Sequence, residues 1–251
     1  MLWMGFSAAA WSGCVDAGDG SGAPPATGAA TPEAGEAGPT GTARAGAAAT
    51  PPESAAANVV FIGTSLTAGY GLDDPTLAYP ALIGRRIDDA GGRCRVVNAG
   101  VSGDTSAGGR ARLDQLLGAL QLPLAALFVE LGANDGLRGQ SPEALYDNLA
   151  RIVGQARRQH PEAAIVVAGM EAPTNLGPAY TQAFRDVFPR VAKEHGAVLV
   201  PFLLEGVAAV PALNQSDGIH PNAEGHAAMA EHVWSVLEGE LAGRCAAERT
   251  S

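Results

Sequence analysis

From residue 58 onward, short apolar runs alternate with longer amphipathic stretches. The apolar runs lie at 59–62, 94–98, 124–131, 163–168 and 197–202. Runs of this length without polar alternation read as strands buried on both faces. The stretches between them have helical periodicity and predict helices over 79–90, 106–120, 142–160 and 178–195, with a last one over 222–241. On the third of these, Leu145, Leu149, Ile152 and Val153 form one core-facing stripe. Ser141 followed by Pro142 marks its N-cap and first helical position. Buried strands alternating with helices predict an α/β domain, a five-stranded parallel sheet with helices on both faces. The domain is expected over 58–243, long enough for a single core, with a short tail over 244–251.

The chain before it has a different texture. Of the 43 residues in 15–57, 36 are Ala, Gly, Pro, Ser or Thr, and none is Leu, Ile, Met or aromatic. Such a segment buries too little apolar surface to offset chain entropy, and it is predicted to be a disordered tether. An Ala-rich helix is the alternative; Pro24, Pro25, Pro32, Pro39, Pro51 and Pro52 interrupt every window of it. Residues 1–14 are apolar and end in Ser12-Gly13-Cys14. They read as an export signal closing on a lipoprotein cleavage box, with Cys14 lipidated. Trp11 stands where an aliphatic residue is usual, and no basic residue leads the stretch. Export without a lipid, and an apolar terminus without an address, are the other readings. A flexible tether after a lipidated Cys14 would let the domain stand off a membrane, so the expected location is the bacterial envelope, on its periplasmic side.

Charge narrows the partners. Sixteen Lys and Arg against 26 Asp and Glu leave a net charge of -10, which disfavours a nucleic-acid backbone. No apolar run reaches the ~18 residues of a membrane-spanning helix. Three Cys are too few for a disulfide scaffold and lack zinc spacing. Cys94 and Cys245 are left as a pair, if the domain is exported, or as one buried and one exposed thiol. A monomer is expected.

Ligands of open α/β sheets bind beyond the carboxyl ends of the strands. Four Gly-rich polar clusters fall there: 63–71, 98–106, 132–136 and 217–222. Ser65 sits at a strand-to-helix turn, where a helix N-terminus favours developing negative charge. A serine hydroxyl needs a base; His220 suits that role, and Asp217, three residues earlier, is placed to fix its tautomer. The backbone N–H groups of Ser65 and Gly103 and the side-chain amide of Asn134 are candidate oxyanion donors. Asp104 and Asp135 read as supports of their loops. His160, His195, His226 and His232 read as surface or helix-end residues, and Arg85, Arg86, Arg110 and Arg112 as solvated helix faces.

The blocks GTSLTAGYGL, NAGVSGDTSAGGRARL, VELGANDGLRG and DGIHPN, in that order over about 60–225, resemble the SGNH (GDSL-type) hydrolases. The likeness is greatest to the bacterial thioesterase I, lysophospholipase and arylesterase subgroup. The resemblance implies a flavodoxin-like three-layer α/β/α fold, with Ser65 as nucleophile, Gly103 and Asn134 as oxyanion donors, and Asp217 and His220 completing a triad. No cofactor or metal is implied. Thr64 stands where the family usually has Asp; it is expected to be tolerated, because the triad Asp is Asp217. The expected substrate is a small acyl or aryl ester or thioester, with Leu66, Tyr70 and Leu137 as substrate contacts. An envelope carbohydrate or peptidoglycan O-acyl esterase is the enzymatic alternative. A non-catalytic flavodoxin-like module cradling a phosphate is the alternative of another class; the chain lacks a P-loop Gly-Lys-Ser/Thr ending for it.

Overall fold

A computed structural model of the chain describes residues 55–246. The leader call, Cys14 and all but the last three residues of the tether call lie outside the described residues. Five parallel strands form one sheet: β1 (Ala57–Gly63), β2 (Cys94–Gly100), β3 (Leu124–Glu130), β4 (Ala164–Ala168) and β5 (Val198–Val200), in the order β2-β1-β3-β4-β5. This is the flavodoxin-like order. The helices are α1 (Ser65–Ala68), α2 (Tyr79–Asp89), α3 (Ser106–Gly118), α4 (Ala133–Leu137), α5 (Pro142–Gln159), α6 (Pro178–His195) and α7 (Ala223–Leu241). α2 packs with α7, while α3 packs with α5 and α5 with α6, giving two helical layers about the sheet.

The burial explains the sequence pattern. Every residue of β1, β3 and β4 is buried, because helices cover both faces, whereas edge strand β2 is partly exposed. Phe61 lies at the centre, packed on Phe128 at 5.1 Å and edge-on to Tyr79 at 5.6 Å between ring centroids. Leu145, Leu149, Ile152 and Val153 of α5 are fully buried, as their spacing predicts.

The domain ends differ from the predicted bounds. β1 starts at Ala57, within the predicted tether, and the Ala56 N–H donates to the Arg93 carbonyl at 2.6 Å. At the other end the predicted tail is corrected: Cys245 is buried, its carbonyl accepts from the Arg93 N–H at 2.6 Å, and its sulfur is bonded to Cys94. Backbone pairing and the disulfide carry the ordered chain past residue 243. The one-turn helices α1 and α4 are too short to leave a periodic signal in the sequence.

β1 is followed by β2 on one side and β3 on the other. In the register, Gly63 at the end of β1 faces both Gly100 of β2 and Glu130 of β3. Three strands therefore stop at one level, and the loops that follow them open onto the same crevice.

Candidate active site

The nucleophile turn starts from a close approach. A Cβ on Gly63 would lie 2.0 Å from Thr67 Oγ1 and 2.6 Å from Glu130 Oε2, so only glycine fits. Thr64 is the N-cap residue, Ser65 opens α1, and Gly69, in the left-handed region at φ 75°, closes it after one turn. One turn is too short for the sizeable helix dipole expected behind Ser65. The local effect comes from free N–H groups at its start.

Ser65 Oγ lies 2.9 Å from His220 Nε2, and His220 Nδ1 lies 2.6 Å from Asp217 Oδ2. Since Asp217 accepts from Nδ1–H, Nε2 is left as the acceptor for the Ser65 hydroxyl. Asp217 Oδ1 also accepts from the backbone N–H groups of Ile219 and His220, each at 3.0 Å. The His220 side chain and these two N–H groups hold the Asp217 carboxyl down at about 2. The loop is anchored by the Gln215 N–H, which donates to the His220 carbonyl at 2.7 Å, and by the Gln215 side chain, which donates to the Tyr70 carbonyl at 2.7 Å.

The loops after β2 and β3 are tied to this turn. The Val101 N–H donates to the Gly63 carbonyl at 2.9 Å. Gly103, at φ 79°, needs the conformational freedom of glycine. Asn134 Nδ2 donates to the Asp104 carbonyl at 2.9 Å, and Arg138 donates to the Gly103 carbonyl at 3.0 Å. The Ser65 and Gly103 N–H groups make no hydrogen bond among the described residues. Asp135 is buried and accepts from the Ser106 N–H at 2.9 Å and its hydroxyl at 2.5 Å, securing the start of α3.

Several expectations need correcting. Leu66, expected to touch substrate, is buried in the hydrophobic core, because α1 turns it inward. Tyr70 and Leu137 are more than half exposed; the Tyr70 ring sits 4.7 Å from that of His220. Two further exposed apolar residues stand next to site residues in the chain, Ile219 beside His220 and Val101 two residues before Gly103. His226 is no surface residue: α7 buries it against Tyr79. Arg112 is no free helix-face cation. It pairs with Asp104 at 2.8 Å and donates to the Gly63 carbonyl at 3.1 Å, bracing the Gly103 loop against the nucleophile strand. Arg110 bonds Asn148 at 2.9 Å.

Residues 61–228 match the profile of the GDSL-like Lipase/Acylhydrolase family. The chain belongs to this family. Over 186 residues, 74% of this chain and 90% of the relative, it is 44% identical to "Esterase TesA" of Pseudomonas aeruginosa. It is 39% identical over 184 residues to "Thioesterase 1/protease 1/lysophospholipase L1" of Escherichia coli, covering 73% of this chain and 85% of the relative. Among solved structures, that of TesA superposes with a TM-score of 0.69 at 42% identity, covering 73% of this chain and 99% of the other. This acylhydrolase is therefore an enzyme of the SGNH type.

Thr64 and Glu130 went unremarked as a pair in the sequence. Thr64 Oγ1 donates to the buried Glu130 carboxylate at 2.9 Å, which is how the nucleophile turn accommodates a residue other than Asp. The available signal was a lone acidic residue ending the apolar run LAALFVE.

Proposed function

We propose that this acylhydrolase cleaves carboxylic ester and thioester bonds of apolar acyl or aryl substrates through an acyl-enzyme on Ser65. The single observation that carries the reading is the unbroken chain from Ser65 Oγ to His220 Nε2 at 2.9 Å and from His220 Nδ1 to Asp217 Oδ2 at 2.6 Å. Ser65 Oγ attacks the carbonyl carbon as its proton passes to His220 Nε2. Asp217, ionised, stabilises the imidazolium. The N–H groups of Ser65 and Gly103 and the Asn134 amide receive the oxyanion. Collapse of the tetrahedral intermediate expels the alcohol, phenol or thiol, which takes the proton from His220. A water, deprotonated by His220, then attacks the acyl carbon and releases the acid, returning the proton to Ser65.

Tyr70, Leu137, Val101 and Ile219 are exposed apolar residues on the loops that carry the site, and Tyr70 lies against His220, which favours hydrophobic acyl chains over sugars. The names of the relatives, an esterase and a thioesterase with lysophospholipase activity, support the same substrate class. The Cys94–Cys245 disulfide supports export to an oxidising compartment, the periplasmic side of a bacterial envelope, with Cys14 as the lipid-bearing residue. No helix among the described residues is long and apolar enough to cross a membrane. We read the enzyme as a monomer.

The test is hydrolysis of p-nitrophenyl esters of graded chain length and of an acyl-CoA, by the wild type and by Ser65→Ala, together with labelling by a fluorophosphonate. Activity and labelling that both vanish in Ser65→Ala support the reading. Full activity in Ser65→Ala sinks it. A peak at acetate, with no activity on longer chains, would move the assignment to an acetyl esterase.

A further inference from the structure

Glu130 ends β3 and is completely buried. Its two carboxylate oxygens accept from four donor groups, all on Thr64 and Thr67 about Ser65. Thr64 donates through its N–H at 2.8 Å and its hydroxyl at 2.9 Å; Thr67 donates through its hydroxyl at 2.8 Å and its N–H at 3.2 Å. Thr67 Oγ1 is also 2.8 Å from the Tyr79 hydroxyl. No Lys, Arg or His bonds to Glu130 among the described residues.

This arrangement is expensive as scaffolding alone. A buried carboxylate is heavily desolvated, and an apolar residue would continue β3 without that cost. Burial pushes the Glu130 carboxyl up, while the Thr64 and Thr67 donors pull against it. The two backbone donors cannot reverse direction, so they require an acceptor, and a carboxylate accepts from both while leaving room for both hydroxyls. Thr64 supplies two of the four donors. An ionised Asp at that position would offer its N–H but no side-chain donor, and would bring a second carboxylate against the first. Gly63, lacking a Cβ, makes the space for Glu130 Oε2. Four residues beyond Glu130 on the same segment is Asn134.

We propose that Glu130 is a positioning residue for Ser65: its carboxylate clamps Thr64 and Thr67 on either side of the nucleophile and ties that turn to the end of β3, which leads into α4 and Asn134. The proposal rests on the reading of Ser65 as nucleophile. Glu130 touches no substrate; it sets where Ser65 Oγ stands relative to His220 and the oxyanion donors. Misplacement of a reacting atom by about 1 Å lowers rates about 100-fold.

The experiment compares the full chain as wild type, Glu130→Gln, Thr64→Val and Ser65→Ala. It reads kcat and KM on p-nitrophenyl butyrate, the second-order rate of fluorophosphonate labelling, and thermal melting. In Glu130→Gln, the amide hydrogens oppose the Thr donors. We expect kcat and the labelling rate to fall about 10- to 100-fold, with KM within about threefold, at a temperature where the variant is fully folded. Thr64→Val keeps the carboxylate and the volume and removes one donor; it should lower the same two quantities about 3- to 10-fold. A folded Glu130→Gln with wild-type kcat and labelling, or with a change in KM alone, overturns the proposal. If Glu130→Gln does not fold, Thr64→Val decides: unchanged kcat and labelling overturn it. Failure of the underlying reading looks different, since Ser65→Ala would then stay active and the wild type would not be labelled.

Discussion

Tyr79 and His226 stack with ring planes 10° apart and centroids at 6.2 Å, and the Tyr79 N–H donates to His226 Nδ1 at 3.3 Å. The first residue of α2 is thereby joined to the first turn of α7. The bond requires an unprotonated Nδ1, and burial, with a smaller contribution from the charge of His220, holds His226 down at about 4.

This predicts a stability that depends on pH. An unfolded His binds its proton near 6.5, whereas the folded one binds it only near 4. Between these values the unfolded state holds more protons, so stability falls as pH drops from about 6.5 to about 4 and is flat above. The full effect is on the order of 3 kcal/mol. His226→Asn, which keeps an acceptor near Nδ1, should lose most of this dependence. Urea denaturation at pH 7 and pH 5 checks it; equal losses in wild type and variant would contradict it.

Asp217 is also held low, but as the charged form, by hydrogen bonds instead of burial. Its carboxyl is held at about 2 by the His220 side chain and two backbone donors, so it stays ionised at all pH values well above that. Asp217 should therefore contribute no ionisation to the acid limb of kcat/KM down to about pH 3. Asp217→Asn should lower kcat about 10³- to 10⁴-fold. A carboxyl carbon NMR signal of Asp217 that titrates above about pH 3 would count against the assignment.

Asn134 spends one amide hydrogen on the Asp104 carbonyl, leaving the other for the oxyanion. Asn134→Ala should reduce kcat about 10²- to 10³-fold with little change in KM. Loss of the bond to Asp104 should reduce stability by only about 1 kcal/mol. Steady-state kinetics beside a denaturation curve separate the two effects; a loss of stability without a loss of kcat would assign Asn134 to the loop alone.

The Cys94–Cys245 bond closes a 151-residue span. Reduction, or Cys245→Ser, should lower stability by about 2–4 kcal/mol, chiefly through the freedom returned to the unfolded chain. Cys94 opens β2 opposite Ala57, at the end of the sheet away from the nucleophile turn, so kcat should be retained at low temperature. Melting with and without a reductant reads the first effect, and ester hydrolysis under the same conditions reads the second.

Much of this protein was legible in the chain itself. Continuous apolar runs predict β1, β3 and β4 because strands covered on both faces have no polar alternation, and the α5 stripe predicts its buried side. Ser65, Gly103, Asn134, Asp217 and His220 stood out because their chemistry is encoded in short local motifs. Tertiary structure alone decided what depends on distant segments meeting. It turned Leu66 from the crevice into the core. It buried His226 and engaged Arg112 with Gly63 and Asp104. It joined Cys94 to Cys245, a pairing the sequence left open. It set Glu130 under Thr64, 66 residues away. Periodicity reports which face of an element is apolar, but not which residue of another element stands opposite it; that is fixed by sheet register and helix packing.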